Sequence, residues 1–247
     1  MDDNKLLYIE NLFNKAKIPL EKRQLCQFLD YYNLLIEWNS KINLTAIVDF
    51  EDVCLKHFLD SASIVNCFSS FEEAKVFFKD KSLVDVGTGA GFPGIPLKIL
   101  FPDLSVTLID SLDKRINFLN FVISDLGLSN ISSFHGRVED CARLDEFRES
   151  FDFATARAVA ALPVLCEYCL PFVKIGGKFI SYKSEKANDE LALSENAMST
   201  LGGSFSEIFE FELYGSDFKR NILFIDKVSS TPSSYPRKAG KPTKKPL

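Results

Sequence analysis

One carboxylate followed by three glycines at alternate positions, Asp85, Gly87, Gly89 and Gly91, is the stretch of this chain best suited to chemistry. The apolar run from Ser82 to Val86 reads as a buried parallel strand, and residues from about Ile95 to Leu100 as the helix after it. Glycine is needed where the backbone takes positive φ or comes within contact of a ligand. In open α/β sheets such a turn, at the carboxyl end of a strand, is where ligands bind. An acid ahead of the glycines can approach an ammonium group, directly or through water. A second acid, Asp110, ends the next apolar run, Leu104 to Ile109. It lies about 20 residues past the glycines, the spacing at which a carboxylate meets ribose hydroxyls in such folds. It would accept both hydroxyl protons in charge-assisted bonds. Asp110 can also cap the helix starting near Leu112; the two roles are compatible.

Two ligand classes use a strand, a glycine turn and a helix. Dinucleotide enzymes carry G-x-G-x-x-G, with the pyrophosphate on the helix N-terminus. Here the third glycine of that fingerprint falls on Phe92, which argues against a nicotinamide oxidoreductase. The order D-x-G-x-G-x-G is typical of S-adenosylmethionine methyltransferases, whose cofactor has no phosphate to cradle. A non-catalytic RNA-binding factor that keeps the fold is the other rival, and the intact turn with Asp110 argues against it.

Alternating strands and helices must position these groups. Residues 1–80 read as helical, with Leu25, Phe28, Leu29, Tyr32, Leu35 and Ile36 forming one apolar stripe after Glu21. Trp38 to Ile47 reads as a loop, and a second helix from about Phe50 to Cys67 turns Val53, Phe58, Ala62 and Val65 inward. His57 and Asp60 lie within one turn of it; His57 is either a hydrogen-bonded interface residue or part of the substrate cleft. Ser111 to Leu126 reads as helix with Gly127 at its C-cap. The strand Asn130 to Phe134 leads to His135-Gly136-Arg137-Val138-Glu139, a turn that passes over adenine in this architecture. Glu139 is otherwise a first-turn residue favoured by the helix dipole.

Phe151 to Ala156 is the fourth strand, and Arg157 follows at its carboxyl end, where the methyl acceptor usually sits. No Asn/Asp-Pro-Pro-aromatic tetrapeptide for exocyclic amines and no Pro-Cys nucleophile for pyrimidine C5 is present. Arg157 can grip a phosphate with two bonds or stack on a base, or it can pair structurally with an acid. Leu162 to Val173 reads as helix, Gly176-Gly177 as a turn, and Lys178 to Tyr182 as a strand ended by Lys183. A helix over Glu185 to Leu201, with Ser184 as N-cap, follows. The runs Phe205 to Leu213 and Asn221 to Val228 predict a terminal antiparallel hairpin. The expectation is an α/β class I methyltransferase (Rossmann-like) fold. It has a mostly parallel seven-stranded sheet with that hairpin, and an N-terminal helical subdomain. The predicted divisions are 1–80, 81–228 and 229–247.

Composition is ordinary for a soluble globular chain, 46% hydrophobic and 26% charged. No apolar run reaches the roughly 18–20 residues that span a bilayer, and no export signal opens the chain, which points to the cytoplasm. Cys166-Glu167-Tyr168-Cys169 is formally C-x-x-C, but it has no second pair, so no metal is expected. The net charge of −5 hides an asymmetry: residues 227–247 carry six basic residues and no acid, leaving −11 on the rest. A basic tail on an acidic body predicts contact with a polyanion. The alternatives are a disordered solubilising tail, or a structural one docked through Tyr235 and Pro236.

The stretch from Asp85 to Pro96 closely resembles the bacterial 16S ribosomal RNA guanine-N7 methyltransferases, the glucose-inhibited division B family. The resemblance extends to Asn43–Ile47, His57–Ser61, Asp110-Ser111-Leu112, Lys114-Arg115, Arg137-Val138-Glu139, Arg157-Ala158 and the tail from Tyr235 to Leu247. It implies methylation of guanine N7 in small-subunit rRNA with S-adenosylmethionine as cofactor. It assigns cofactor contacts to Gly87, Phe92, Asp110, Ser111, Leu112, Val138, Glu139 and Arg157, with Asp85, Gly89 and Gly91 completing the turn. From position and charge, Arg137, Lys183, Arg220, Arg237 and Lys238 are candidates for RNA, and Arg157 and Lys183 for positioning the base. No general base is required, because guanine N7 carries a free in-plane lone pair. The expected enzyme is a cytoplasmic monomer.

Overall fold

Five β-rich runs pair side by side in the computed structural model, which describes residues 2–247. They are β1 (Ser82–Val86), β2 (Ser105–Asp110), β3 (Ile131–His135), β4 (Phe151–Arg157) and β5 (Val173–Lys183). With the hairpin β6 (Gly203–Glu212) and β7 (Lys219–Lys227) they form a seven-stranded sheet of order β3-β2-β1-β4-β5-β7-β6. The first five strands are parallel, and β7 lies antiparallel between β5 and β6. The chain order reverses between β1 and β4, the switch point at which open α/β sheets bind ligands. Register brings Asp110 level with His135, and Arg157 level with Tyr182, at the carboxyl edge.

Side chains alternate across a strand, so each strand feeds two cores. Leu83, Leu108, Phe153 and Ile180 enter one; Val84, Ile109, Ala154 and Phe179 enter the other. The first face is covered by α1 (Asp3–Lys15), α2 (Lys22–Ile42), the helical segment 50–67 and α5 (Phe71–Phe78). Segment 50–67 runs as α3 (Phe50–Val53), a π-helical turn (Cys54–Leu59), α4 (Asp60–Ala62) and a 3₁₀ turn (Ser63–Cys67). Then come α6 (Gly94–Leu100), α7 (Asp113–Asp125), α8 (Val138–Cys141), α9 (Leu162–Cys169), α10 (Ala187–Ala192), α11 (Glu195–Thr200) and, in the tail, α12 (Lys241–Lys244). Among the described residues no helix is long and apolar enough to cross a membrane.

Several boundaries depart from the sequence expectation for local reasons. Helix α2 continues through Trp38 to Ile42, because Trp38 packs on Phe118 and Phe121 of α7. Its buried face includes Gln24, Gln27 and Tyr31, while Tyr32 and Ile36 are only partly covered. The glutamines are buried because their amides donate to the end carbonyls Ile99 O and Leu126 O of α6 and α7, at 2.8 and 2.9 Å. Helix α9 stops at Cys169 and passes into a 3₁₀ turn holding Pro171, which has no N–H to donate. Gly176-Gly177 is not a turn but an irregularity within β5, opposite a register shift at Phe151/Phe153. The helix expected over 185–201 is split in two, and Ser184 does not cap it; the Ser194 hydroxyl donates to Glu190 O at the break.

The basic tail lies on the protein. Thr231, Pro236 and Pro242 are buried, and Arg143 and Arg148 donate to tail carbonyls from Thr231 to Pro236. Of the alternatives for this segment, docking through Tyr235 and Pro236 describes the structure.

Candidate functional site

The glycine turn is built by its backbone. Gly87, Gly89 and Gly91 all have φ between 63° and 98°. Gly87 N–H and Thr88 N–H donate to Ile109 O, at 2.9 and 3.1 Å, which pins the turn to the end of β2. A side chain at Gly91 would strike Ile95 and the Tyr31 hydroxyl, whereas one at Gly89 would meet nothing within 4 Å. Gly89 therefore faces open space: a cleft of about 580 Å³ lined by the turn, segment 50–67 and the ends of β4, β5 and β7. That volume suits a small-molecule ligand.

Asp85 is fully buried beneath the turn. Its Oδ2 accepts from Thr88 Oγ1 (2.6 Å) and Gly94 N–H (2.8 Å), while Oδ1 has no partner. Burial raises its pKa to about 6, against the opposing pull of those two bonds and of Arg157. Asp110 Oδ2 accepts from Gly89 N–H at 3.0 Å and pairs with Arg115 at 3.1 Å; Oδ1 accepts from Leu112 N–H at 2.9 Å. Asp110 does not cap α7, whose N-cap is Leu112, but holds the backbone just ahead of it, and it lies behind Gly89, outside the cleft lining.

A second cluster organises the opposite wall. Asp60 Oδ2 accepts from Arg157 and Oδ1 from Arg220 Nε, both at 2.6 Å. Arg157 also donates to Lys56 O at 3.2 Å, and its guanidinium lies 5.2 Å from the Phe92 ring centroid. His57 stacks on Phe92 with centroids 4.6 Å apart. Its Nδ1 faces an Arg157 N–H at 3.5 Å, so Nδ1 accepts and Nε2–H donates to Thr45 Oγ1 at 2.9 Å. Burial, reinforced by Arg157, lowers the His57 pKa to about 4, so the ring is neutral near pH 7. His57 is both an interface residue and a cleft residue. It sits in the π-helical turn, a form that recurs at functional sites. Lys183 donates to Glu190 and Ala160 O, at 2.7 and 2.8 Å, and Ala158 holds the left-handed conformation at φ 58°. Strained backbone of this kind concentrates at ligand sites.

The expected residues do not all converge. Gly87, Gly89, Phe92, Arg157, Lys183 and Arg220 line the cleft. Gly91 lies behind it, packed on Ile95 and Tyr31. Ser111, Leu112 and Arg137 are exposed outside the lining, and Val138 is half-buried beside it. Glu139 is buried and turned away, accepting from Gly240 N–H at 3.0 Å. Arg237 is not available for RNA, because it forks onto Glu167; Lys238 is exposed. Phe92, expected at the rim, is 7% exposed, stacked on His57 and in tilted contact with Tyr31. Sequence reasoning missed Asp60 as the hub for two arginines, and Thr45 as the partner of His57. Their only signal was their place in the blocks around His57 and Asn43. Cys166 and Cys169 are buried on α9, and burial pushes the Cys166 thiol up to about 12. Among the described residues no group of three or more His, Cys, Asp or Glu could hold a metal ion.

Comparison with known proteins bears on the fold and the family. A 16S rRNA (adenine(1408)-N(1))-methyltransferase variant from Catenulisporales acidiphilia, solved with cosubstrate SAM, superposes with a TM-score of 0.51. It does so at 14% identity, over 65% of this chain and 90% of that one, a likeness of fold. A ribosomal RNA small subunit methyltransferase G from Lachnoclostridium phytofermentans is 54% identical over 93% of this chain and 92% of its own. One from Exiguobacterium sp. is 51% identical over 99% of both chains. The family model GidB, rRNA small subunit methyltransferase G, matches residues 24–218, from the buried face of α2 through the glycine turn to the β6–β7 hairpin. With about half of its positions shared with full-length relatives, this chain belongs to the GidB family, rRNA small subunit methyltransferase G.

Proposed function

We propose that this protein transfers a methyl group to N7 of a guanine in 16S rRNA of the small ribosomal subunit, acting as a monomer in the cytoplasm. S-adenosylmethionine supplies the methyl group. The observation that carries the reading is the glycine turn at the β1/β4 switch point. There Gly89 opens on the cleft, Asp110 lies behind it, and the buried Asp85 keeps one carboxylate oxygen without a partner. This donor set fits the cofactor: Asp85 can take the ammonium end through water, and Asp110 the ribose hydroxyls after exchanging the Arg115 contact.

The cleft offers no free general base among the described residues that line it. Asp60 is held by two arginines, Glu190 by Lys183, and both ring nitrogens of His57 are engaged. A nucleophile that needs no deprotonation, such as guanine N7, suits such a site. The residues then act by placement and by excluding water. Arg157 and Lys183 would position the base, and Arg220 at the mouth, with Arg137 and Lys238 beyond it, would meet phosphates. The target base would leave its stack to reach the cleft.

Incubation with labelled S-adenosylmethionine and small ribosomal subunits, followed by nucleoside analysis, tests this. Label in 7-methylguanosine of 16S rRNA is expected; label on another atom, or none, overturns it. Asp110→Ala should weaken S-adenosylmethionine binding by about 1.5–3 kcal/mol in calorimetry, the loss of a charge-assisted contact. Unchanged affinity would remove Asp110 from the site.

A further inference from the structure

The C-terminal segment bridges two helices, α8 and α9, that both pack on the second face of the sheet. Helix α8 follows directly from the ligand-side end of β3, and α9 follows the cleft loop after β4. Gly136 N–H, just before α8, donates to Asp110 O at 3.1 Å, so this turn abuts the acid assigned to the ribose. At four residues α8 is too short to hold its place by its own hydrogen bonds. Cys141 anchors it in the core, and the tail adds polar bonds. Left-handed Gly240 (φ 77°) donates its N–H to Glu139 of α8 at 3.0 Å. Arg237 donates its backbone N–H and Nε–H to Glu167 of α9 at 2.7 and 2.9 Å, and its outer nitrogen bonds the second oxygen. The Tyr168 hydroxyl of α9 meets Thr243 at 3.0 Å and also contacts Glu139. Val138, Tyr235 and Leu247 pack on one apolar cluster.

The Glu167 side chain is 1% exposed. A buried carboxylate is costly unless its bonds are satisfied, and here Arg237 satisfies both oxygens. A polyanion-binding arm would keep its arginine in solvent instead. We propose that the segment 235–247 is a positioning clamp. It sets the spacing of α8 and α9, and with it the slot for the adenine end of the cofactor, and Arg237 is its positioning residue. This rests on the S-adenosylmethionine reading above.

The test compares the unaltered protein with Arg237→Lys, which keeps the charge but loses the planar fork, and with Thr231→Val. Thr231 ties the tail's root to Lys227 and Leu201 O, away from α8 and α9. Calorimetry with S-adenosylmethionine, rRNA-fragment binding at several salt concentrations and thermal melts are run on each. Arg237→Lys should weaken cofactor affinity roughly three- to tenfold, raise the cofactor KM, and leave kcat at saturation and the salt slope of RNA binding unchanged. Thr231→Val should lower the melting temperature with cofactor affinity unchanged. A shallower RNA salt slope with unaltered cofactor affinity in Arg237→Lys overturns the clamp in favour of an RNA contact. A lower melting temperature alone reduces it to a structural staple and overturns it too. Failure of the unaltered protein to bind S-adenosylmethionine overturns the cofactor reading itself, and the clamp's role with it.

Discussion

The two ends of the chain cover opposite faces of the same sheet, and both use arginine–carboxylate bonds. The N-terminal layer sends Thr45, Lys56, His57 and Asp60 into the cleft, where Asp60 takes Arg157 and Arg220 from β4 and β7. The C-terminal segment sends nothing into the cleft; its Arg237 closes on Glu167 behind the helices. Place separates the two pairings more than exposure does: the Arg157, Arg220 and Arg237 side chains are 13%, 24% and 15% exposed and the Asp60 and Glu167 side chains 8% and 1%, but only Asp60 and its two arginines line the cleft. One network borders the cleft, and the other lies away from it. The same side-chain chemistry therefore lines the cleft at one end of the chain and ties tail to helix at the other.

Asp60→Ala attacks the cleft network hardest. It strands two guanidinium groups, and removing one partner of a buried pair costs about 3–5 kcal/mol. Misplacing Arg157 should also cost methyl transfer about a hundredfold. A melt alongside single-turnover transfer checks both. If Asp60→Ala lowers the melting temperature but transfers methyl at the unaltered rate below it, the cleft network is as structural as the tail joint.

Arg157→Lys is the milder probe. Lysine keeps the charge but cannot bond Asp60, Lys56 O and His57 together, nor lie flat on Phe92. Transfer should fall by roughly tenfold while the melt moves little, since Asp60 keeps Arg220. Unaltered single-turnover rates would assign Arg157 to structure alone.

The smallest effect is pH-dependent. The folded pKa of His57 lies at about 4 and its ordinary value is 6.5, so on acidification the unfolded state takes up the proton first. His57's contribution to stability is present above pH 6.5 and is lost as pH falls towards 4. Asp85 runs the other way: its raised pKa makes the fold gain stability as pH falls through about 6. Asp85 is common to both proteins, so the difference between wild type and His57→Gln isolates the histidine. In urea melts that difference should shift in favour of the variant between pH 6.5 and 4. A difference that stays constant across the window would place His57 in solvent-like surroundings.

Much of the fold was legible from sequence, because strand identity depends on local pattern and the parallel order on alternation. The turn from Asp85 to Gly94 was legible for the same reason: positive φ at three positions is a local demand that glycine answers. Helix ends were less so. Trp38 stays helical only because Phe118 and Phe121, far along the chain, receive it, and Ser194 breaks a helix by a back-bond that composition does not announce.

What tertiary structure alone decided is the assignment of charges. Read in sequence, Arg237 and Lys238 are equal members of a basic run, as are Asp60 and its acidic neighbours. Only folding put Glu167, 70 residues away, under Arg237, and Arg157 and Arg220, 97 and 160 residues away, on Asp60. The type of a charged residue fixes what it can bond. Which partner it finds depends on burial, because a charge removed from water must be matched where it lies, and no local pattern records that match.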